Sequence, residues 1–365
     1  MKMKLTVLLL LFFIVILGAC NASNNEEELI DGETENTITE EVLTVVTTTF
    51  VLEDFTRKIG GEHVDVINVV PLGADAHSFE PTARQMIEIM EADAFVYNGA
   101  GFEGFVDAVL KSMEKEDVVA LQASNNIPLR EDDDEHDDEH VDVHEEDEHS
   151  DETLDVHEED EHNDETLDVH EEDEHNDETL DVHEEDEHLH AGVDPHAWLD
   201  PVYALQYAKN IYDLLVQLQP EFEEQFTENY TNLKIELENL HVEFEEMVST
   251  AERNQFIVSH AGYGYWEQRY GLEQIAISGL SPTNEPSQRQ VEEILELGQS
   301  LNLTHLFVEQ NFTSKIAEMI ADEIGADILY LHNLEAATQE DIDNGENYIS
   351  IMRGNIEALK QGLNK

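Results

Sequence analysis

A single cysteine, Cys20, occurs in 365 residues, so no internal disulfide can staple the fold. Basic residues are scarce as well. Seventeen Lys and Arg stand against 86 Asp and Glu, a net charge of −69. A nucleic-acid partner is excluded by that balance, because phosphate contacts need a basic footprint. Direct adhesion to an anionic bilayer surface is disfavoured for the same reason. Long apolar runs are missing too: the run from Leu5 to Leu17 is too short for a comfortable membrane span. There is no His-Glu-x-x-His pair, no Gly-x-Ser-x-Gly elbow and no Walker A motif. These absences argue against a zinc hydrolase, a serine hydrolase and an ATPase, and no enzyme activity is expected. What is present is length for one large or two medium domains, and 40% apolar residues to fill their cores.

The N-terminus speaks to compartment. Lys2 and Lys4 precede the apolar run, which ends in Leu17-Gly18-Ala19-Cys20. A short basic head, an apolar h-region and small residues before a Cys match a bacterial lipobox. Residues 1–19 are therefore expected to be a lipoprotein signal peptide. Cys20 is expected to carry the lipid that anchors the chain to the outer face of the cell membrane. Residues 20–41 are polar and acidic and read as a flexible tether.

From Val42 onward, β-branched runs alternate with amphipathic stretches. Strands are expected at 43–50, 64–70, 94–97 and 118–121, with helices at 52–59, 82–92 and 103–115 between them. A second alternating half has strands near 256–259, 274–277, 305–309 and 327–331. Its helices lie near 263–270, 287–301, 313–324 and 340–363. The fold class is α/β: two lobes, each a mainly parallel sheet flanked by helices. The lobes are expected at 42–202 and 253–365. A long helical region at 203–252, broken near Pro220, links them and should limit opening to a modest rocking. The stretch 131–190 interrupts the first half with 34 acidic residues, eleven His and no Lys or Arg. A 13-residue unit recurs there, too short for a solenoid and too poor in apolar residues to bury. It reads as a disordered insertion in a surface loop, with weak metal capture as its expected use.

Seven His lie outside the insertion: His63, His77, His196, His241, His305, His332 and His260. His77 follows a strand within Gly73-Ala-Asp-Ala-His-Ser-Phe-Glu-Pro81. His196 sits in Asp194-Pro-His-Ala-Trp198. His260 caps a strand and precedes Ala261-Gly262. Ligands of open α/β sheets sit beyond the carboxyl ends of strands, so these three are the candidates for a cleft site. Three imidazoles with one carboxylate would suit Zn2+. The other four lack that context and read as surface or core-edge residues.

Three of these stretches together carry a family resemblance. Gly73-x-x-x-His77-Ser-Phe-Glu80-Pro81, Asp194-Pro-His196-x-Trp198-x-Asp200-Pro201 and Ser259-His260-Ala-x-x-Gly264-Tyr265 resemble the zinc-uptake solute-binding lipoproteins of bacterial ABC transporters, of the cluster A-I type. Gly279-Leu-Ser-Pro-Thr-Asn-Glu-Pro-Ser287 also looks like that family's C-lobe loop. The likeness runs over roughly 42–363. It implies high-affinity Zn2+ capture as a transported ligand, delivery to an ABC permease with a separate ATPase, and a monomer. It implies His77, His196 and His260 as metal ligands. A Glu after the last C-lobe strand, here Glu335, is implied as the fourth, although Asn333-Leu334 stand where the motif usually has Pro. Glu80, Glu309 or a water are the alternatives for that position. A manganese-binding homologue and a surface adhesin are the competing readings. Manganese relatives put a carboxylate where His260 stands, and oxygen suits Mn2+ better than imidazole does.

Overall fold

Leu43, Val45 and Val46 are buried in one of the two inner strands of a four-stranded sheet. The structure, a computed structural model, describes residues 42–131, 192–310 and 314–364. The signal peptide, the tether and all of the insertion expected at 131–190 except Glu131 lie outside those residues. The first sheet contains β1 (Leu43–Thr47), β2 (Val64–Asn68), β3 (Ala94–Tyr97) and β4 (Val119–Gln122) in the order β2-β1-β3-β4. The second contains β5 (Gln255–His260), β6 (Glu273–Ser278), β7 (His305–Glu309) and β8 (Asp327–Leu331) in the order β6-β5-β7-β8. All pairings are parallel. The two-lobed α/β class expected from the alternation is the one observed.

The shared strand order matters for function. In such a sheet the order in which strands are added reverses between the first and third strands, which opens a crevice at their carboxyl ends. In the second lobe that crevice lies between β5 and β7, and these strands end on His260 and Glu309.

Both faces of the second sheet are covered, as a parallel sheet requires. Ile257, Leu306 and Val308 point into one core with Ile294, Ala317 and Ile320, whereas Phe256, Val258 and Phe307 point into the other. Strand alternation produces this split. The second of these cores is continuous with the core of the first lobe, through Trp198, Trp266, Tyr265 and Tyr348. The lobes therefore share one apolar interior.

The helices are α1 (Phe50–Gly60), α2 (Ala83–Met90), α3 (Val106–Met113), α4 (Pro201–Leu218), α5 (Glu223–Thr250), α6 (Gly264–Tyr270), α7 (Gln288–Ser300), α8 (Lys315–Ile324), α9 (Gln339–Asn344) and α10 (Tyr348–Leu363). Asp200 caps α4 by accepting from the Val202 N–H, with Pro201 in the first turn. The helical stretch 203–252 is broken where expected: the chain turns at Gln219–Pro220, and α5 packs back along α4. Pro220 cannot continue a helix in its interior, which places the turn. One expectation changes. The expected helix 340–363 is two helices, because Gly345 takes φ 69, a left-handed conformation that ends α9.

α5 is the element that ties the halves. It packs on α1 and α4 of the first lobe and on α10 of the second. Phe226, Leu233, Leu237, Leu240, Phe244 and Met247 line its buried face. A wide swing of one lobe would tear that face open. Solution scattering with and without zinc should accordingly show nearly the same radius of gyration, and a large domain rotation would contradict the shared core.

Candidate metal centre

Each of the four expected ligands sits on a different piece of backbone. His77 is in the loop after β2, where its N–H donates to Asp75 Oδ1 at 3.1 Å and its ring packs edge-on to Phe102. His196 lies in the segment that re-enters the described chain at 192. His260 is the last residue of β5. Glu335 follows β8. The structure brings all four together: one ligand atom from each lies within 4.8 Å of all the others. His77 Nε2 stands 3.3 Å from His196 Nε2 and 3.3 Å from Glu335 Oε1. Glu335 Oε1 is 3.5 Å from His196 Nε2 and 3.9 Å from His260 Nε2. A tetrahedral zinc shell with bonds of about 2.0–2.2 Å has edges of about 3.3–3.5 Å. The observed separations match that shell, with His260 slightly outside it.

The lone pairs point inward. His260 Nε2 and Glu335 Oε1 are buried and accept or donate no hydrogen bond of good geometry. Buried polar atoms without partners are costly, so a pair of them facing one point fits a site built for a cation. Gly262 keeps that point open on one side. A Cβ there would meet His260 Nε2 at 2.7 Å.

The other ring nitrogens are fixed by carboxylates. His196 Nδ1 lies 2.9 Å from Asp194 Oδ1, which also accepts the His196 N–H at 2.9 Å. His260 Nδ1 lies 2.7 Å from Glu309 Oε1, and the Tyr263 hydroxyl donates to the same oxygen at 3.3 Å. A carboxylate on Nδ1 holds the proton there and leaves Nε2 free to bind metal. Glu309, one alternative fourth donor, is therefore the orienting partner of His260. Glu80, another alternative, is exposed and outside the cluster. Sequence reasoning did not foresee the orienting roles of Asp194 and Glu309. Asp194 could have been found, since it lies two residues before His196; Glu309 is 49 residues from His260 and gives no local sign.

The remaining His residues divide. His332 and His63 are buried rather than at the surface; His332 pairs with Asp341 and His63 stacks on Phe222. His241 and His305 are partly exposed.

Burial alone would lower the proton affinity of His196, but the hydrogen bond to Asp194 and the close Glu335 carboxylate outweigh it and push its pKa up to about 9. Burial would raise Glu335, yet the charge of His77, with help from His196 and His260, holds its carboxyl well below the usual range.

Residues 45–362 match the family described as zinc-uptake complex component A periplasmic, ZnuA. The chain belongs to the ZnuA family. Among relatives, the high-affinity zinc uptake system protein ZnuA of Bacillus subtilis (strain 168) is 33% identical over 321 residues, covering 88% of each chain. The zinc-binding lipoprotein AdcA of Streptococcus pneumoniae (strain ATCC BAA-255 / R6) is 30% identical over 87% of this chain. This chain spans only 55% of that AdcA's length. The Zn(II)-bound ZnuA-like domain of Streptococcus pneumoniae AdcA superposes with a TM-score of 0.65 at 28% identity, covering 89% of this chain and all of that domain. The ZnuA-family match agrees with the resemblance drawn from the three His motifs.

Two outcomes follow from the geometry. Glu309→Gln should weaken zinc binding by about 10–100-fold in a chelator competition while the far-ultraviolet spectrum stays unchanged, as for other partners of metal-binding histidines. In the metal-free protein, His196 has a folded pKa raised from 6.5 to about 9. Its stabilising contribution is full below pH 6.5 and is lost as pH rises through about 9. Glu335 contributes in the opposite direction, above its ordinary 4.5, and loses its effect only in strong acid. The metal-free Tm should thus fall between pH 6.5 and 9, and His196→Gln should flatten that part of the curve.

Proposed function

We propose that this chain captures Zn2+ outside the cytoplasm, at His77, His196, His260 and Glu335, and hands it to an ABC permease. The observation that carries the reading is the convergence of three imidazole nitrogens and one carboxylate oxygen within 4.8 Å. That donor set favours zinc over manganese, since imidazole suits Zn2+ and harder oxygen ligands suit Mn2+. Four protein donors also complete a tetrahedral shell. A hydrolytic zinc keeps one position for water, so the arrangement favours binding over catalysis. The family is a component of zinc uptake.

The extracytoplasmic placement draws support from the Leu17-Gly18-Ala19-Cys20 motif and from the relative described as a zinc-binding lipoprotein. In this reading Cys20 bears the lipid, residues 20–41 are the tether, and the protein works as a monomer. No described helix is long and apolar enough to cross a membrane. Because ligands come from both lobes, the ion itself holds the cleft shut, and release requires the permease to disturb the ligand loops. The stretch 131–190 would gather additional zinc weakly through its eleven His and would not be needed for the tight site.

Elemental analysis and zinc titration of the purified protein test this. One tight equivalent is expected in the intact protein and none in His260→Ala. Deleting 131–190 should remove weaker equivalents only. Tight binding that survived His260→Ala would refute the assignment.

A further inference from the structure

His332 follows β8 and is almost fully buried, at 4% exposure. Its main chain is clamped by Asn355 of α10. The His332 N–H donates to Asn355 Oδ1 at 2.8 Å, and Asn355 Nδ2 donates to the His332 carbonyl at 2.8 Å. The ring makes two further contacts. Nδ1 accepts the N–H of Leu334 at 2.9 Å, and Nε2 lies 3.2 Å from Asp341 Oδ2. Asp341 Oδ2 also accepts the Thr338 N–H and hydroxyl at the start of α9. Those donors mark Oδ2 as an ionised acceptor, so the ring carries its proton on Nε2 and offers a lone pair at Nδ1.

The residue that receives this lone pair is unusual. Leu334 has φ 62, in the left-handed region that a leucine rarely adopts, and is fully buried. The next residue is Glu335. Its N–H is held by Asn333 Oδ1 at 3.2 Å, and its carbonyl accepts from the Phe50 N–H at 2.8 Å. The direction in which Glu335 leaves the backbone is therefore set by the conformation of Leu334. Without an acceptor for its N–H, Leu334 would bury an unpaired donor and lose the bond that keeps it left-handed.

We infer that His332 is a positioning residue for zinc capture: by accepting the Leu334 N–H it holds the strained turn that aims Glu335 at the three imidazoles. This rests on the proposed role of Glu335 as fourth donor. The competing role is purely structural, in which His332 serves the folding of α9 through Asp341.

Two isosteres separate these roles. In His332→Asn, the side-chain oxygen sits near the Nδ1 position and can accept an N–H two residues on, as asparagine does in turns. In His332→Gln, the amide reaches towards Asp341 but leaves Leu334 without an acceptor. Zinc affinity of the full chain is measured against a tight-binding chelator, so that only the tight equivalent is read. The d–d absorption of the Co2+-loaded protein reports the coordination shell independently of stability.

His332→Asn is expected to bind close to wild type. His332→Gln is expected to weaken binding by about 10–100-fold, the range seen when support of a ligand is removed. Its Co2+ spectrum should move towards that of Glu335→Gln, and the double variant should be no weaker than Glu335→Gln alone. The inference is overturned if His332→Gln keeps wild-type affinity while Glu335→Gln loses it, or if the two losses add. If Glu335→Gln itself binds normally, the fourth-ligand assignment fails and the positioning role falls with it. Should His332→Gln not fold, His332→Asn still decides: tight binding supports the role, and a fall to the Glu335→Gln level ends it.

Discussion

Three imidazole nitrogens and a carboxylate oxygen converge on one buried point between the lobes. Nothing local would keep them there. Each donor is held by something behind it: Asp194 behind His196, Glu309 and Tyr263 behind His260, and the edge of Phe102 beside His77. Without a metal, the charge of the Glu335 carboxylate and a proton on His196 hold the cluster together, as the raised His196 and lowered Glu335 pKa values show. The site coincides with the shared apolar interior, where surrounding packing is rigid.

The segment from Asp194 to Asp200 does most of that bracing. Its main-chain oxygens accept from side chains of the second lobe: Tyr265 to the Asp194 carbonyl at 2.6 Å, Trp266 to Leu199 at 2.7 Å and Tyr348 to Trp198 at 2.7 Å. From the first lobe, Asn98 donates to the Pro195 carbonyl at 3.1 Å. The Trp198 indole donates in turn to the Asn333 carbonyl, two residues before Glu335. A short stretch with no strand or long helix of its own thus finds its hydrogen bonds in both halves. The large aromatic side chains around it supply apolar bulk and a polar tip together, which is what a buried irregular segment needs.

Much of this was readable from the chain itself. Strand alternation gave both sheets, because β-branched runs between turn residues leave few other options. His77, His196 and His260 stood out for their strand-end or Pro-bounded settings. The remainder needed the third dimension. Glu309 and His260 meet only because β5 and β7 are neighbours in a strand order the sequence does not print. Glu335 was reachable only through resemblance, since the left-handed turn at Leu334 that precedes it (φ 62) has no sign in the sequence. His332 looked like a core-edge residue because its partners, Asp341 and Asn355, are brought in by two helices that the pattern had read as one.

The anchors of the four donors are not shared equally between the lobes, and this bears on how the ion can leave. Glu335 belongs to the second lobe by sequence, and Asn355 and Asp341 hold the start of its loop there, yet the loop is also tied to the first. The carbonyls of Asn333, Glu335 and Ala337 accept from Trp198, Phe50 and Gly73. His260 is different. Its orienting partners Glu309 and Tyr263, and the Ala261 N–H bond to the Gly279 carbonyl, all lie in the second lobe. In the proposed reading, a rocking that kept these three loop bonds would draw His260 away from the other three donors. On that reading His260 would be the ligand lost first, and a small displacement would suffice, since a metal–nitrogen bond of about 2 Å does not survive being stretched by half its length.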